Sequence, residues 1–273
     1  MDANGAALVT GASRGIGQAV ALELAKRGFD VVATMRNPAD GEALRSASTR
    51  GRIQVEALDV NRPETIRIPD GLRVLVNNAG VEGEHLPVEH APMQMWRDIF
   101  ETNFFGLVEV TRRALPELRA SRGVLCNVTS CSILVPMPFF AVYRASKAAV
   151  SALGESLRAE VQDAGVRVLE IQPGAIETDM LEGSKREPEA MAFEAYRTLA
   201  KTVHAMRQAG VDQFESVENA AVSIVDAILD DATPLRHGPD PMGAGLLAAW
   251  RATDDETMMG GMLASLAPPP NDD

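Results

Sequence analysis

The chain has 273 residues, of which 46% are apolar and 4% aromatic, and a formal net charge of -12. This length and composition can bury one large core, so we expect a single domain. The negative net charge argues against binding of nucleic acid, which requires a basic face, and charged residues or prolines interrupt every apolar run before it is long enough for a membrane span.

Short β-branched runs alternate with longer amphipathic stretches along the chain. The predicted strands are residues 7–9, 31–34, 53–58, 74–76, 124–128 and 166–171. The first predicted helix follows residue 15 and ends at Gly28, a typical C-cap residue. This alternation predicts an α/β fold with a doubly wound parallel sheet of the Rossmann type.

A glycine-rich loop joins the first strand to the first helix. Gly11 permits a tight turn, Gly15 lets the backbone approach a pyrophosphate, and Gly17 allows close packing of the helix. Outside this strand–loop–helix context, three glycines would fit a plain turn equally well. The cofactor-binding residues predicted in the loop are Gly11, Ser13, Arg14, Gly15, Ile16 and Gly17.

The end of the second strand indicates which dinucleotide is bound. Enzymes that prefer NAD usually present an acid there, whereas this chain has Met35 followed by Arg36. Together with Arg14 in the glycine loop, Arg36 supplies two guanidinium groups that suit a 2'-phosphate. NADP is therefore favoured over NAD, although both arginines could simply be solvated surface residues.

The middle of the chain contains two long helical patterns and one short crossover. Pro63 and Pro69 leave room only for a turn or loop between residues 59 and 77. Residues 92–120 predict a helix that Pro116 should distort or restart, and residues 142–164 predict another. Both helices carry more apolar residues than one sheet-facing stripe requires, which predicts packing against another subunit.

Three side chains in this region have the chemistry of proton transfer. Tyr143 and Lys147 lie one helical turn apart on the same face, and Ser130 precedes the tyrosine by 13 residues. A lysine cation favours the phenolate of a tyrosine, whose reference pKa is about 10. Ser130 can donate a hydrogen bond to a substrate oxygen, so these residues suit the exchange of a proton with a carbonyl or alcohol.

The C-terminal third is harder to interpret. We assign residues 1–254 to the domain and expect a helical flap at about 180–215, with apolar residues at roughly helical spacing. That segment could be an ordinary packed helix or a mobile flap over an apolar substrate. Residues 255–273 are rich in Met, Gly, Pro and Asp, which predicts a flexible tail.

These motifs, in this order, resemble the short-chain dehydrogenase/reductase family, in its shorter subclass. The resemblance covers roughly residues 5 to 180. It rests on the segments at 10–17, 58–60, 77–80, 143–147 and 173–174, together with Asn103 and Ser130. Ile133 stands where the family often has glycine, and Pro136 and Pro138 follow, which implies a bulkier and stiffer substrate wall.

The resemblance, together with the apolar helix faces, implies a homodimer or homotetramer, and it implies further roles for single residues. Asn103 would hold a water that relays protons from Lys147, which would also bind the nicotinamide ribose with Tyr143. Asn78 and Ala79, followed by Gly80, would line the adenosine side, although each asparagine could instead cap a strand end. The remaining implied cofactor contacts are Asp59 and Val60 at the adenine, and Pro173, Gly174, Ile176 and Thr178 in the loop that holds the carboxamide.

Two other features are set aside as sites. The acidic and histidine-containing segment at 82–90 matches no common zinc spacing, and Pro87 interrupts any helical alignment, so we expect no metal. Cys131 has no histidine base nearby in sequence and is interpreted as a small buried thiol.

Two cysteines are too few for a disulfide framework and no apolar leader is evident, so we expect a cytoplasmic protein.

The predicted function is transfer of a hydride between NADP(H) and the carbonyl or secondary alcohol of an apolar small molecule. The segment that begins at Pro234 loosely resembles that of 17β-hydroxysteroid and retinol dehydrogenases, which adds lipid-like substrates to the possibilities. The alternative is a non-catalytic NADP-binding sensor or regulatory protein of the same fold. A sugar-nucleotide epimerase is disfavoured because the chain lacks room for a larger substrate domain.

Overall fold

The protein is built around one parallel sheet with helices on both faces. A computed structural model describes residues 1–180, 186–209 and 214–267. Its seven strands lie in the order β3-β2-β1-β4-β5-β6-β7, and all neighbouring pairs are parallel. The strands are β1 (Ala6–Val9), β2 (Asp30–Met35), β3 (Ile53–Ala57), β4 (Leu72–Asn77), β5 (Val124–Val128), β6 (Arg167–Ile171) and β7 (Arg236–His237). The predicted doubly wound sheet is confirmed.

The described helices divide between the two faces of the sheet and the region above its carboxyl edge. They are α1 (Gly15–Arg27), α2 (Glu42–Arg45), α3 (Met93–Phe100), α4 (Leu107–Ser121), α5 (Ala141–Val161), α6 (Arg197–Ala209), α7 (Val217–Leu229), α8 (Pro241–Ala252) and α9 (Asp255–Leu266). Helices α1 and α7 pack on one face, and α4 and α5 cover the other. None of the helices in the described residues is long and apolar enough to cross a membrane.

The central strands of the sheet are mainly apolar because both faces of the sheet are covered. Neighbouring residues of β1 show this, since Val9 belongs to the core cluster beneath α1 whereas Leu8 belongs to the cluster beneath α4. Helix α1 ends at Gly28, which adopts the left-handed conformation and donates its N–H to carbonyls of the last turn. Sequence patterning thus accounts for the layers.

The crossover before β4 and the helix after it differ in how well the sequence predicted them. The crossover contains one short 3₁₀ turn, Pro63–Thr65, as predicted. Of the two outcomes predicted at Pro116, a distortion or a fresh helical start, the fresh start does not occur. Pro116 lies inside a continuous α4 on its exposed side, where water can satisfy the freed carbonyl. The irregularity is instead a π-helical segment, Glu101–Gly106, between α3 and α4.

The predicted flap region contains two 3₁₀ turns, Glu189–Ala192 and Glu194–Tyr196, followed by α6. Its apolar side chains pack into a small cluster around Phe139, which the tail helix α9 joins through Leu266. Residues 181–185 and 210–213 of the predicted flap lie outside the described residues. Those that are described form a packed helical cover.

The chain after Asp254, predicted as a flexible tail, contains a further helix. Residues Asp255–Leu266 form α9, whose first turn is capped by the Asp254 carboxylate accepting the Thr257 N–H at 2.8 Å. Small and sulfur-containing residues concealed this helix in the sequence, whereas a cap and a contact with the flap cluster stabilise it. Residues 268–273 of the predicted tail lie outside the described residues.

Candidate active site

A cavity of about 410 Å³ opens at the carboxyl edge of the sheet, where the βα loops converge. It extends from the glycine loop to the start of α5. Twelve of the residues predicted to act in catalysis or cofactor binding line it: Arg14, Gly15, Ile16, Asn78, Gly80, Ser130, Tyr143, Lys147, Pro173, Gly174, Ile176 and Thr178. The predicted residues outside its lining are Gly11, Ser13, Gly17, Arg36, Asp59, Val60, Ala79 and Asn103.

The glycine loop is held by the residues that follow β4. The Asn78 side chain donates to the carbonyls of Thr10 and Gly11, at 3.1 and 3.0 Å. The Thr10 hydroxyl in turn accepts the backbone N–H groups of Asn78 and Ala79. A Cβ on Gly17 would lie only 2.3 Å from the Asn78 amide nitrogen, so only glycine fits there. The asparagine therefore fixes the shape of a loop suited to a pyrophosphate.

Lys147 projects from α5 towards the end of β5. Its ammonium group donates to the Val128 carbonyl at 2.8 Å and lies 5.8 Å from the centroid of the Tyr143 ring. Burial lowers the pKa of Lys147 to about 8, so the lysine remains largely protonated at neutral pH. The predicted one-turn spacing thus brings a cation beside the phenol.

Tyr143 differs from the expected activated phenol. Burial raises the pKa of Tyr143 above its ordinary value, and the negative charge of Glu82 raises it further, while a hydrogen bond with Ser130 lowers it. The protein alone therefore favours a neutral phenol, which is a proton donor. The oxygen of Ser130 also accepts the Ser132 N–H at 3.2 Å, which fixes the serine side chain at the start of its turn.

Asn103 lies in the π-helical segment and is fully buried. Its amide oxygen accepts the Val81 N–H at 2.8 Å, and its amide nitrogen donates to the Val81 carbonyl and the Ser146 hydroxyl. These contacts join the loop after β4 to α5, one residue before Lys147. The extra residue of the π-helical segment turns this side chain inward, a feature that the sequence did not reveal.

The adenosine end of the site lies beyond the cavity, at the ends of β2 and β3. Met35 is buried, and the adjacent Arg36 is exposed at the carboxyl end of β2. Arg14 also lies at the surface, where it forms an ion pair with Asp179 at 3.0 Å. Because Asp179 partly offsets the charge of Arg14, Arg36 is the stronger candidate for a phosphate contact.

The two residues predicted to contact the adenine, Asp59 and Val60, are held in place by different neighbours. The Asp59 carboxylate accepts the Asn61 N–H at 3.0 Å and faces Arg62, while Val60 is buried against Gly106. Both follow β3 at the same edge of the sheet as the end of β2. Their location is compatible with the predicted adenine pocket.

The loop after β6 closes one side of the cavity. The Gly174 N–H donates to the Asp240 carboxylate at 2.7 Å, which joins this loop to the start of α8. Ile176 forms a parallel bridge with Glu215 immediately before α7. The contacts of Gly174 and Ile176 thus fix the loop that carries the predicted carboxamide-binding residues along one side of the cavity.

Most of the far wall was not predicted from sequence. Apolar residues from four separate segments form it: Met137, Phe140, Val203, Met206, Phe214 and Met242. Two charged residues, Glu82 and Arg207, also line the cavity there. The helical spacing of the flap gave a signal for Met206, but nothing local in the sequence indicated that these segments share one cavity.

The two features set aside in sequence have clear environments. Burial raises the pKa of Cys131 to about 12, which makes its thiol a poor nucleophile although it lines the cavity. Glu82 and His85 of the acidic segment hydrogen-bond to each other at 2.9 Å. Within the described residues, no group of three suitable side chains could hold a metal ion.

Similar proteins include enzymes with different substrates. Estradiol 17-beta-dehydrogenase 2 of Rattus norvegicus is 38% identical over 213 residues, which cover 72% of this chain and 55% of that protein. The chain thus spans little more than half the length of this relative. Serine 3-dehydrogenase of Rhizobium radiobacter is 35% identical over 184 residues, which cover 64% of this chain and 74% of the relative.

The structural comparison extends the similarity to nearly the whole chain. A short-chain dehydrogenase from Streptomyces avermitilis superposes with a TM-score of 0.75 at 31% identity, covering 91% of this chain and 94% of the other. The family described as short chain dehydrogenase matches residues 5–189. Together with the parallel sheet, the glycine loop and the Tyr143–Lys147 pair, this match shows that the chain belongs to the short-chain dehydrogenase family.

Proposed function

We propose that this protein is an NADP-dependent oxidoreductase that interconverts a carbonyl and a secondary alcohol on a mainly apolar small molecule. The observation that carries the proposal is the convergence of Ser130, Tyr143 and Lys147 on one cavity with a largely apolar far wall. The glycine loop at the other end of the cavity supports a bound dinucleotide. NADP would supply or accept the hydride.

Each side chain has a distinct part in this chemistry. Ser130 holds the substrate oxygen, and the neutral Tyr143 phenol donates its proton to that oxygen as a carbonyl is reduced. The ammonium of Lys147 stabilises the phenolate that remains. Asn103 holds the loop at Val81 against α5. A water bound at this asparagine would connect Lys147 with solvent.

A matched pair of tyrosine variants tests the proton-transfer role. The chain has two tyrosines, and Tyr196 donates to Glu89 outside the cavity lining. Tyr143→Phe should retain NADPH binding but lower carbonyl turnover at least about 1,000-fold, because the proton donor is lost. Tyr196→Phe should leave turnover within a factor of about two. Nicotinamide absorbance gives the rate, and full activity in Tyr143→Phe would refute the role.

Cofactor preference is tested at the end of β2. Arg36→Ala should weaken NADPH binding by about tenfold and leave NADH binding unchanged, since a phosphate contact of this kind contributes roughly 1.5 kcal/mol. Arg52→Ala removes an exposed arginine that pairs with Asp30 and serves as the control. Equal affinity for NADH and NADPH in the unaltered protein would remove the basis for NADP preference.

The rival hypothesis, a non-catalytic NADP sensor, has a different outcome in the same assays. Tight NADPH binding without turnover across a broad panel of carbonyl compounds and alcohols would support the sensor.

We also propose a homodimer or homotetramer in the cytoplasm. Exposed apolar side chains at Met93 and Phe105 and two free, buried cysteines support this setting. A monomer in light scattering would exclude the oligomer.

A further inference from the structure

A charged cluster interrupts the apolar far wall of the cavity. Glu82, from the loop after β4, and Arg207, from α6, both line the cavity that contains Tyr143. His85 connects them and is only 7% exposed. The charges come from segments more than 100 residues apart and meet beneath the helical cover, on the substrate side of the proposed site.

The hydrogen bonds of this cluster run in one direction. Arg207 has only donors, so its Nη1 must donate to His85 Nδ1, which lies 3.1 Å away. The proton of the neutral imidazole is then on Nε2, which donates to the Glu82 carboxylate at 2.9 Å. The imidazole therefore separates the guanidinium of Arg207 from the carboxylate of Glu82.

Aromatic packing restrains the same arginine. His85 stacks on Phe140 with ring centroids 4.1 Å apart, and the guanidinium carbon of Arg207 lies 4.8 Å from the centroid of the Phe140 ring. Phe140 immediately precedes α5 and is three residues from Tyr143. The guanidinium thus has a defined position relative to the proposed proton donor.

Arg207 retains hydrogen-bonding capacity towards the cavity. Within the described part of the chain, its one hydrogen-bond partner is the imidazole, and it forms no ion pair. A guanidinium has five N–H donors in a planar fork, which matches the two oxygens of a carboxylate. Partial burial strengthens such a pair relative to one in water.

We propose that Arg207 determines substrate specificity by binding a carboxylate at the end of the substrate remote from the reacting carbon. This inference rests on the proposed oxidoreductase function and narrows its substrate class to oxo acids and hydroxy acids with an apolar body. The apolar side chains of the far wall would contact that body. Glu82 would repel a carboxylate bound on its own side, and thereby direct the acid to Arg207.

The test compares an oxo acid with its methyl ester at the same chain length, because the ester keeps the shape and removes the charge. With NADPH saturating, we expect kcat/KM for acids of the best chain length to exceed that for the esters by about 10- to 100-fold. Most of the difference should reside in KM. Equal values for acid and ester at every chain length would overturn the proposal.

A pair of variants on α6 then assigns the preference to one residue. Arg207→Gln should lower kcat/KM for the acid about 10- to 100-fold and change that for the ester less than about threefold. Lys201→Gln removes an equal charge from an exposed position on the same helix and should preserve the preference. A parallel loss for acid and ester in Arg207→Gln, or an equal loss in Lys201→Gln, would refute the assignment.

The outcomes separate this inference from the proposed function. If esters and simple ketones are reduced as well as acids, the oxidoreductase function stands and the Arg207 proposal fails. If no carbonyl compound is reduced although NADPH binds, the proposed function itself fails. Unchanged NADPH affinity and melting temperature in Arg207→Gln would show that the variant is folded.

Discussion

The two ends of the cavity are built in different ways. At the proton-transfer end, Tyr143 and Lys147 share one turn of α5, and the Val128 carbonyl at the end of β5 fixes the lysine. At the substrate end, the wall is assembled from the loop after β4, the segment that leads into α5, helices α6 and α8, and Phe214, which precedes α7. One end depends on local spacing, and the other on long-range packing.

Because of this difference, the lining of the substrate end can change without a change in the sheet core. The sheet core beneath the proton-transfer end is close to complete burial, as the strands β4, β5 and β6 show. The flap cluster is smaller, with five buried residues and a border of partly buried methionines, a leucine and Tyr196. A cover with few fully buried contacts can open or change its lining without disturbing the sheet.

The largest expected effect concerns the proton-transfer end. Lys147→Met should reduce the single-turnover rate at saturating NADPH by about 100- to 10,000-fold, because the phenolate of Tyr143 loses its cation. Lys26→Met, at an exposed position beside Glu23, should retain nearly full activity. Rapid-mixing measurements of nicotinamide absorbance give both rates. A loss of less than about tenfold would show that Lys147 is dispensable for proton transfer.

A smaller effect, on the free energy of unfolding, is expected from substitutions that test the packing of the two regions. Leu169→Ala in β6 should lower the free energy of unfolding by about 2 to 5 kcal/mol, because Leu169 is fully buried in the sheet core. Leu199→Ala in α6 removes a partly buried side chain and should cost about 1 kcal/mol. Denaturant unfolding measures both changes. Equal costs would contradict the proposed difference between core and cover.

Hydrogen exchange sharpens the same comparison. In Leu199→Ala, amides of α6 should exchange faster while those of β5 and β6 keep their protection, since the change is confined to the flap cluster. In Leu169→Ala, protection should fall throughout the sheet. Uniform loss of protection in both variants would show that the flap and the sheet unfold as one unit.

The smallest expected effect is on the pH dependence of the reaction, because the charge of Glu82 at the substrate end acts on Tyr143 at the proton-transfer end. The carboxylate of Glu82 raises the pKa of Tyr143, so Glu82→Gln lowers that pKa and makes the phenolate available at lower pH. The rising limb of alcohol oxidation against pH should therefore move down by about half a pH unit. Glu84→Gln, which alters an exposed carboxylate two residues away, serves as the control. Movement of the limb to higher pH would contradict the assigned sign.

Sequence reasoning was most successful where function depends on local order. The strand–glycine loop–helix segment and the Tyr143–Lys147 turn need only a few consecutive residues, and both occur where they were predicted. It did not predict the helix after Asp254 or the continuous helix through Pro116, because capping and solvent exposure decided those elements. The π-helical segment around Asn103 also left no recognisable sequence pattern.

A buried network under the carboxyl edge shows the same limit. Glu170 in β6 is 1% exposed and pairs with Arg236 of the short strand β7, which was not predicted. Thr129 and Ser151 donate to the same carboxylate. A glutamate within an apolar strand pattern is a sign of such a pair, but the identity of its partner requires the tertiary structure.

By itself, the sequence determined the layered parallel sheet, the dinucleotide loop and the spacing of the proton-transfer residues, because these depend on residue type at short separation. The tertiary structure decided the neutral state favoured for Tyr143, the pairing of Arg14 with Asp179 and the cluster of Glu82, His85 and Arg207. Burial and long-range charge control these features, and both depend on which distant segments the fold brings together.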